Sequence, residues 1–307
     1  MKADVLVAEI GSTTTLINAF CGIRSGEPKF IGQGQAPTSV LEGDVRIGLN
    51  GAIEDLKANL GADKIEYGEM LATSSAAGGL RMCVHGLVYD MTVKAAEAAA
   101  LGAGAIVTMA TAGKLSEYDI EDLKEAKPNL ILLAGGTDYG EKETALFNAR
   151  MIAASGVKAP VIYAGNVQNK RAVEDIFQKA GISCTVTENV YPKLDKLNIE
   201  PARKIIHQVF EEHIIKAPGM EHIRDMVTGH IMPTPGAVME AVQLAYNEIG
   251  DVVAVDIGGA TTDVHSVTGG SEEIGILLTT PEPFAKRTVE GDLGLYVNAK
   301  NLVNRIG

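Results

Sequence analysis

Residues 4–20, DVLVAEIGSTTTLINAF, and residues 251–267, DVVAVDIGGATTDVHSV, follow one pattern at a constant offset of 247 positions. Each begins with an apolar run that ends in a carboxylate, Glu9 or Asp256, and continues through glycine and hydroxyl side chains into a second apolar run. Such a pattern around a glycine turn predicts a β-hairpin. Because the two copies align without a gap, we infer that one structural unit occurs twice.

Length and charge limit the classes to which the protein can belong. A chain of 307 residues exceeds the usual size of a single core, so we expect two domains or a duplicated one. Its 27 Lys and Arg against 39 Asp and Glu give a net charge of −12, which makes nucleic acid and anionic membrane poor partners. The apolar stretches predict neither a signal peptide nor a membrane span, so we expect a cytoplasmic protein. Neither a disulfide framework nor a zinc site is predicted by the three distant cysteines, Cys21, Cys83 and Cys184.

The sequence changes character near residue 80. Before that point, it predicts the first hairpin, a third strand and a helix over 44–60 that Gly61 ends. Over 81–190, short apolar runs alternate with amphipathic stretches, which is typical of a parallel sheet covered by helices on both faces. We therefore predict an α/β protein in which residues 1–80 and 81–190 form separate domains.

The last third of the chain, residues 191–307, is expected to form a third domain. We expect two helices ahead of the second hairpin, because apolar residues there recur at helical spacing. After the hairpin, the sequence predicts a β run at 274–278 and a final helix at 293–303. The third domain would therefore be built around the second hairpin, as the first domain is built around the first.

Both predicted hairpins carry groups that suit a nucleotide phosphate. A glycine at the turn lets backbone N–H groups approach an anion, and Ser or Thr hydroxyls add donors. A carboxylate at the end of the preceding strand, Glu9 or Asp256, would bind the accompanying Mg²⁺, usually through water. The predicted phosphate contacts are Gly11, Ser12, Thr13, Thr14, Gly258, Gly259, Thr261 and Thr262. The alternative is that the carboxylates cap turns of two repeated subdomains and the threonines simply favour β structure.

The paired motifs resemble the phosphate-1 and phosphate-2 motifs of the superfamily that includes actin, Hsp70 chaperones and sugar and acetate kinases. This resemblance implies duplicated RNase H-like lobes, here with an inserted doubly wound α/β domain, that hold ATP and Mg²⁺ between them. The second copy is the closer match. In the first copy Glu9 stands where the superfamily usually has Asp, which puts metal geometry and hydrolysis in doubt more than binding. The adenosine motif of the superfamily follows the second hairpin far downstream, so we expect this chain to lack the base-binding half.

Five motifs are spread over essentially the whole chain: AEIGSTTT at 8–15, ATSSAAGGLRM at 72–82, LLAGGTDYGEKE at 132–143, AVDIGGATTDVHSV at 254–267 and RTVEGDLG at 287–294. On these motifs the chain is most similar to the glutamate mutase L-type family, the accessory proteins encoded beside adenosylcobalamin-dependent mutases. What this resemblance implies is an ATP-binding, chaperone-like reactivating factor, at most a weak ATPase, that exchanges damaged cobalamin on a partner mutase of the glutamate or ornithine type. Family members run longer at the C-terminus, so we expect the third domain to be truncated at Gly307. Homo-oligomer formation stays open.

The middle domain contains a second candidate site at Gly135, Gly136, Thr137 and Asp138, which follow a predicted strand. In a doubly wound sheet, ligands bind at the carboxyl ends of the strands. This domain resembles the sheet that carries cobalamin in mutases, but the Asp-x-His-x-x-Gly signature is absent, since Thr92 stands where the histidine would be. One hypothesis is that these residues form a rim for a partner or ligand, and the other is a structural insertion with glycines at tight turns.

Two further classes of function compete with the reactivating factor. One is a small-molecule kinase or an activator ATPase of the same superfamily, and the other is a filament or scaffold protein that retains only the fold. The activator relatives hold an iron–sulfur cluster through cysteines, and the cysteines here show no such pattern. A kinase would need a catalytic base, which the sequence does not identify. The spacing of His207 and His213 does not place them on one helix face, so we expect them to be structural.

Overall fold

The computed structural model describes residues 1–76, 79–291 and 293–306. Ala77, Gly78, Asp292 and Gly307 lie outside the described residues, so the motifs at 72–82 and 287–294 and the predicted truncation point are described only in part. The strands are β1 (Lys2–Ile10), β2 (Thr14–Cys21), β3 (Lys29–Pro37), β4 (Glu66–Ser74), β5 (Arg81–Gly86), β6 (Ile106–Ala112), β7 (Leu130–Leu133), β8 (Val161–Tyr163), β9 (Cys184–Val186), β10 (Ile231–Pro233), β11 (Val252–Ile257), β12 (Thr262–Val267) and β13 (Ala285–Glu290). The α-helices are α1 (Val45–Leu60), α2 (Lys94–Gly102), α3 (Glu117–Ala126), α4 (Glu143–Ala154), α5 (Lys170–Lys179), α6 (Glu200–Ile215), α7 (Thr234–Ile249), α8 (Glu272–Gly275) and α9 (Ala299–Ile306).

Five strands form the first sheet, in the order β3–β2–β1–β4–β10. The strands β1, β2 and β3 pair antiparallel, whereas β4 runs parallel to β1 and β10 runs parallel to β4. Helix α1 covers part of this sheet with Leu49 and Leu56, which are both fully buried. The predicted helix over 44–60 is confirmed: Asp44 caps its first turn by accepting from Arg46 N, and Gly61 ends it at φ 59°.

Strand β10 belongs to the first sheet, although the sequence assigns its residues to the third predicted domain. Ile231 pairs with Ala72 and Pro233 with Ser74, so the chain returns to the first sheet after residue 190 before it reaches the second hairpin. The strand has only three residues and no alternating apolar pattern that would predict it. Its pairing with the neighbouring β4 makes it a strand. The division into three domains stays a prediction, and the segment after residue 190 contributes a strand to the first sheet before it forms the third sheet.

The middle sheet has the order β6–β5–β7–β8–β9, and all of its strand pairs are parallel. Ile131 and Leu133 of β7 pack into one apolar cluster with α3, α4 and α5. On the other face, Leu130 and Leu132 pack into a cluster that includes α2 and α6. Both faces are therefore covered, which confirms the parallel sheet predicted for residues 81–190 and shows a mixed α/β fold.

The third sheet consists of β11, β12 and β13, which pair antiparallel in that order. The β run predicted at 274–278 is wrong: helix α8 forms there, because Ser271 caps it by accepting from Ile274 N and two glutamates follow in its first turn. Strand β13 was not predicted, since one of its inward residues is Arg287 and the apolar alternation is broken. The final helix begins at Ala299, later than the predicted residue 293.

Helix α1 approaches β3 so closely that Gly34 has no room for a side chain. A Cβ on Gly34 would lie 2.2 Å from the carbonyl oxygen of Ala52 and 2.3 Å from the backbone nitrogen of Leu56. Both neighbours are backbone atoms of the helix and cannot rotate away. We expect Gly34→Ala to lower the free energy of unfolding by about 2–3 kcal/mol, because the helix must move off the sheet.

Gly275→Ala is the matched control, because nothing lies within 4 Å of the Cβ it would add. This variant should leave the free energy of unfolding unchanged or raise it by up to about 1 kcal/mol, since alanine is the better helix former. Urea titration followed by circular dichroism measures both variants. Equal stability of the two would contradict the close contact between α1 and β3.

Candidate functional site

The duplicated sequence folds into two hairpins with the same register. Ile10 pairs with Thr15 in the first hairpin, and Ile257 pairs with Thr262 in the second, at the same offset as in the sequence. The turns also share a hydrogen bond: Gly11 N donates to Thr14 O at 3.0 Å, and Gly258 N donates to Thr261 O at 2.9 Å. Two loop residues remain in each turn, Ser12-Thr13 and Gly259-Ala260. The two predicted hairpins are therefore confirmed.

The two turns lie against each other. A Cβ on Gly259 would lie 2.7 Å from Thr13 Oγ1 and 3.2 Å from Thr13 Cγ2. The side chain of Thr13 thus occupies the space in which any residue larger than glycine at position 259 would place its Cβ. This contact brings together hairpins that are far apart in the sequence.

Surrounding groups bond the carbonyl oxygens of both turns. In the first turn, Thr38 Oγ1 donates to Gly11 O at 2.8 Å, and Thr38 N donates to Thr13 O at 3.0 Å. The second turn is held in the same way: the donors to its carbonyls are Leu295 N to Gly258 O at 3.0 Å, Tyr296 N to Gly259 O at 3.0 Å and Asn298 Nδ2 to Ala260 O at 2.7 Å. These carbonyl oxygens therefore accept hydrogen bonds that hold the two turns in place.

The backbone donors of the two loops are free by contrast. Within residues 1–76, 79–291 and 293–306, no acceptor pairs with the N–H groups of Ser12, Thr13, Gly259 or Ala260. Each turn therefore presents two adjacent N–H groups, while the carbonyl oxygens of Thr13, Gly259 and Ala260 are already bonded. Adjacent free N–H groups of this kind favour an anion.

Glu9 and Asp256 occupy equivalent places near the ends of β1 and β11. Burial raises the pKa of Glu9 above its usual value, and the negative charge of Asp256 raises it further. The pKa of Asp256 is also raised, first by burial and then by the charge of Asp263. The carboxylates therefore repel each other, and a cation between them would relieve the repulsion. Across the described part of the chain, His, Cys, Asp and Glu never gather in a group of three that could hold a metal ion.

A buried charged cluster lies behind the second hairpin and was not predicted. Arg287 donates to Asp263 Oδ1 from Nη2 at 2.8 Å and from Nε at 3.2 Å. His265, which is opposite Arg287 in register, is fully buried, and desolvation lowers its pKa to about 4. The sequence signal was present in the charged residues of two quoted motifs, Asp263 at 254–267 and Arg287 at 287–294, but only the fold pairs them.

The second candidate site, Gly135 to Asp138, lies at the carboxyl end of β7 as predicted. Its polar groups are bonded within the surrounding loops: Asp138 Oδ1 accepts from Val167 N at 2.9 Å and from Asn189 Nδ2 at 3.0 Å. A Cβ on Gly136 would lie 2.6 Å from Glu141 O, so this glycine serves close packing. Thr137 O accepts from Gly140 N within the same loop. No described contact joins these residues to the hairpins, and their role as a rim stays a prediction.

Several known proteins are similar to this chain. A family model described as MutL protein matches residues 5–307. The protein named MutL from Clostridium tetanomorphum is 46% identical over 272 residues, which is 86% of this chain and 59% of that relative. The chain therefore spans 59% of the length of this curated relative.

Solved structures give weaker likenesses. Acetone carboxylase without nucleotide is 18% identical at a TM-score of 0.39, covering 95% of this chain and 48% of the other. Homoserine dehydrogenase from S. aureus at pH 7.0 is 10% identical at a TM-score of 0.23, covering 74% of this chain and 75% of the other. No argument about fold or site rests on these two likenesses.

Among the described helices, none is both long and apolar enough to cross a membrane. The match of the family model extends over nearly the whole sequence, and the curated relative shares almost half of the aligned residues. The chain therefore belongs to the MutL protein family, the glutamate mutase L-type family that its motifs resemble.

Proposed function

We propose that the two hairpins bind the phosphates of Mg²⁺–ATP. The observation that carries this proposal is the pair of free N–H groups on each turn, at Ser12-Thr13 and at Gly259-Ala260. Two donor-rich turns in contact suit a polyphosphate, which presents acceptor oxygens to both sides at once. The hydroxyl of Thr14 next to the first turn would add a donor, whereas that of Thr262, which was also predicted to contact phosphate, already donates to Leu293 O at 2.6 Å.

The order of the strands supports an interpretation as actin-like lobes. The first sheet combines an antiparallel unit, β1 to β3, with two parallel strands, β4 and β10. The third sheet repeats the antiparallel unit as β11 to β13. We interpret the first sheet as one RNase H-like lobe and the third as the start of a second. The middle sheet lies between β4 and β10 in the sequence, and its order places a topological switch point between β5 and β7, as in a doubly wound domain inserted into the first lobe.

The carboxylates fit a magnesium ion that arrives with the nucleotide. Glu9 and Asp256 are half-buried, and burial raises the pKa of both, so a divalent cation would stabilise both in the charged form. Mg²⁺ commonly takes one or two carboxylates and completes its shell with water and phosphate oxygens. When bound, it would neutralise phosphate charge. Glu9 and Asp256 would hold its hydration shell from the two sides.

As a member of the MutL protein family, the chain is proposed to serve as an accessory, chaperone-like reactivating factor for an adenosylcobalamin-dependent mutase of the glutamate or ornithine type. Closure of two lobes around ATP can do work on a bound partner, here the exchange of damaged cobalamin for intact coenzyme. We propose that the protein acts in the cytoplasm, with at most a weak ATPase activity. An activator ATPase with an iron–sulfur cluster is disfavoured, since Cys83 is fully buried and burial raises the pKa of Cys184 to about 11.

Binding of Mg²⁺–ATP tests the proposed site directly. We expect Asp256→Asn to weaken the binding of Mg²⁺–ATP at least about tenfold, because the carboxylate that holds the hydrated metal loses its charge. Asp122→Asn is the matched control: Asp122 is exposed on α3, far from both hairpins in the fold, and its loss should leave affinity unchanged. Isothermal titration calorimetry measures all three proteins. No binding to the wild type, or equal binding to all three, would contradict the phosphate site.

The contact between the two turns can be tested by a steric swap. Gly259→Ala would place a Cβ 2.7 Å from Thr13 Oγ1, so we expect it to push the turns apart and lower the melting temperature. In the double variant Thr13→Ala/Gly259→Ala, the nearest remaining atom of residue 13 is its Cβ, at an ordinary 3.6 Å. The double variant should therefore recover part of the loss, with a coupling of about 0.5–3 kcal/mol in the mutant cycle. Additive effects would show that the turns do not touch in solution.

The reactivating role is tested with the partner enzyme. A glutamate mutase that carries inactive hydroxocobalamin should release it when the MutL protein and Mg²⁺–ATP are both added, and activity should return with fresh coenzyme. The visible spectrum of the cobalamin that passes a desalting column measures release. Asp122→Asn should act like the wild type and Asp256→Asn should be impaired. Release that is independent of nucleotide, or no release by a protein that does bind ATP, would contradict this role.

A further inference from the structure

Arg287 joins the second hairpin to a different part of the molecule. Its side chain is buried, with 6% of the residue exposed. Two of its nitrogens donate to Asp263 on β12, as described above, while Nη1 donates to the carbonyl oxygens of Leu101 at 3.0 Å and Ala105 at 3.5 Å. Leu101 lies in the last turn of α2, and Ala105 lies in the loop that leads from α2 into β6 of the middle sheet. One guanidinium therefore bridges the third sheet and the C-terminal end of α2.

A second buried arginine meets the same end of α2. The guanidinium of Arg203, on α6, lies so close to Gly102 that a Cβ there would be 2.7 Å from Nη2. Nη2 of Arg203 also donates to Ala285 O on β13, at 3.4 Å. Two cations thus face the carbonyl end of α2, where the helix dipole favours positive charge. This junction is an electrostatic contact as well as a packed one.

On its other side, Arg287 is connected to the proposed nucleotide site. Asp263, its partner, is directly opposite Asp256 in the register of β11 and β12. The charge of Asp263 raises the pKa of Asp256, and the charge of Arg287 lowers it, so the three groups interact. Asp256 in turn interacts with Glu9 across the two hairpins. A continuous chain of charges runs from the hairpins through Asp263 and Arg287 to the end of α2.

We propose that Arg287 couples nucleotide binding at the hairpins to the C-terminal end of α2, which leads into the middle sheet. The proposal rests on the proposed function for the identity of the ligand. A cation and phosphates bound at Asp256 would change the electrostatic interaction between Asp263 and Arg287. Arg287 cannot move with Asp263 without changing its hydrogen bonds to Leu101 and Ala105. Because such coupling is reciprocal, a partner that moves the end of α2 would change nucleotide affinity by the same factor.

Hydrogen exchange of residues 94–105, measured by mass spectrometry, tests this link without nucleotide. In the ligand-free protein, Asp263→Asn removes the charge that holds Arg287, and we expect exchange in this segment to accelerate several-fold. Glu290→Gln is the matched control, since it removes one negative charge from an exposed position on the neighbouring strand β13. Unchanged exchange in Asp263→Asn, or the same acceleration in Glu290→Gln, would overturn the proposal whether or not ATP binds.

A second experiment measures hydrogen exchange in the presence of saturating Mg²⁺–ATP. We expect exchange of residues 94–105 to change on saturation in the wild type, and to change far less in Arg287→Lys, because an ammonium cannot bridge the carboxylate and both carbonyls. Calorimetry on the same samples establishes saturation. Binding with unchanged exchange, or an equal change in Arg287→Lys, would overturn the coupling alone. Absence of nucleotide binding by the wild type would overturn the proposed function and the coupling with it.

Discussion

A buried guanidinium must find acceptors, and Arg287 finds them both in the third sheet, at Asp263, and at the C-terminal end of α2, at Leu101 and Ala105. Leaving such a charge unpaired costs far more than an ordinary lost contact, so the third sheet can lie against α2 only where Asp263, Leu101 and Ala105 all reach it. Arg203 is a second buried guanidinium at the same end of α2, and it also needs hydrogen-bond acceptors there. The position of the second hairpin relative to the rest of the protein therefore depends on electrostatic pairing as well as apolar packing, and the apolar cluster that joins α7 to the third sheet is small.

With the third sheet in this position, the two hairpin turns are in close van der Waals contact. Thr13 fills the position of the absent Cβ of Gly259, and hydrogen bonds from Thr38 and Asn298 hold the carbonyls of the two loops. What each turn leaves open is its N–H groups. Carboxylates nearby would repel an anion on its own but not one that brings a divalent cation, which is why we propose a metal-bound phosphate as the ligand.

The parts of this structure that local patterns determine could be predicted from the sequence. The hairpins follow from alternation around a glycine turn, α1 follows from its spacing and from Gly61, and the parallel sheet follows from alternating runs. The pairing of β10 with β4 and the ion pair of Asp263 with Arg287 could not, because the partners are distant in sequence and nothing local marks them. The fold brings the two predicted hairpin turns into contact but not Gly135 to Asp138, and nothing in the sequence distinguishes the buried Arg287 from an exposed arginine.

Comparison of the two hairpins position by position shows where the duplicated unit has diverged. Glu9 is opposite Leu16 in the first hairpin, whereas Asp256 is opposite Asp263 in the second. Leu16 carries no charge and is only partly buried, so the first hairpin has an uncharged residue where the second has Asp263. An aspartate paired with Arg287 gives the second turn an anchor whose energy depends on the local charge. The proposed coupling through Arg287 therefore belongs to the second hairpin, since the first has an uncharged residue, Leu16, at the equivalent position.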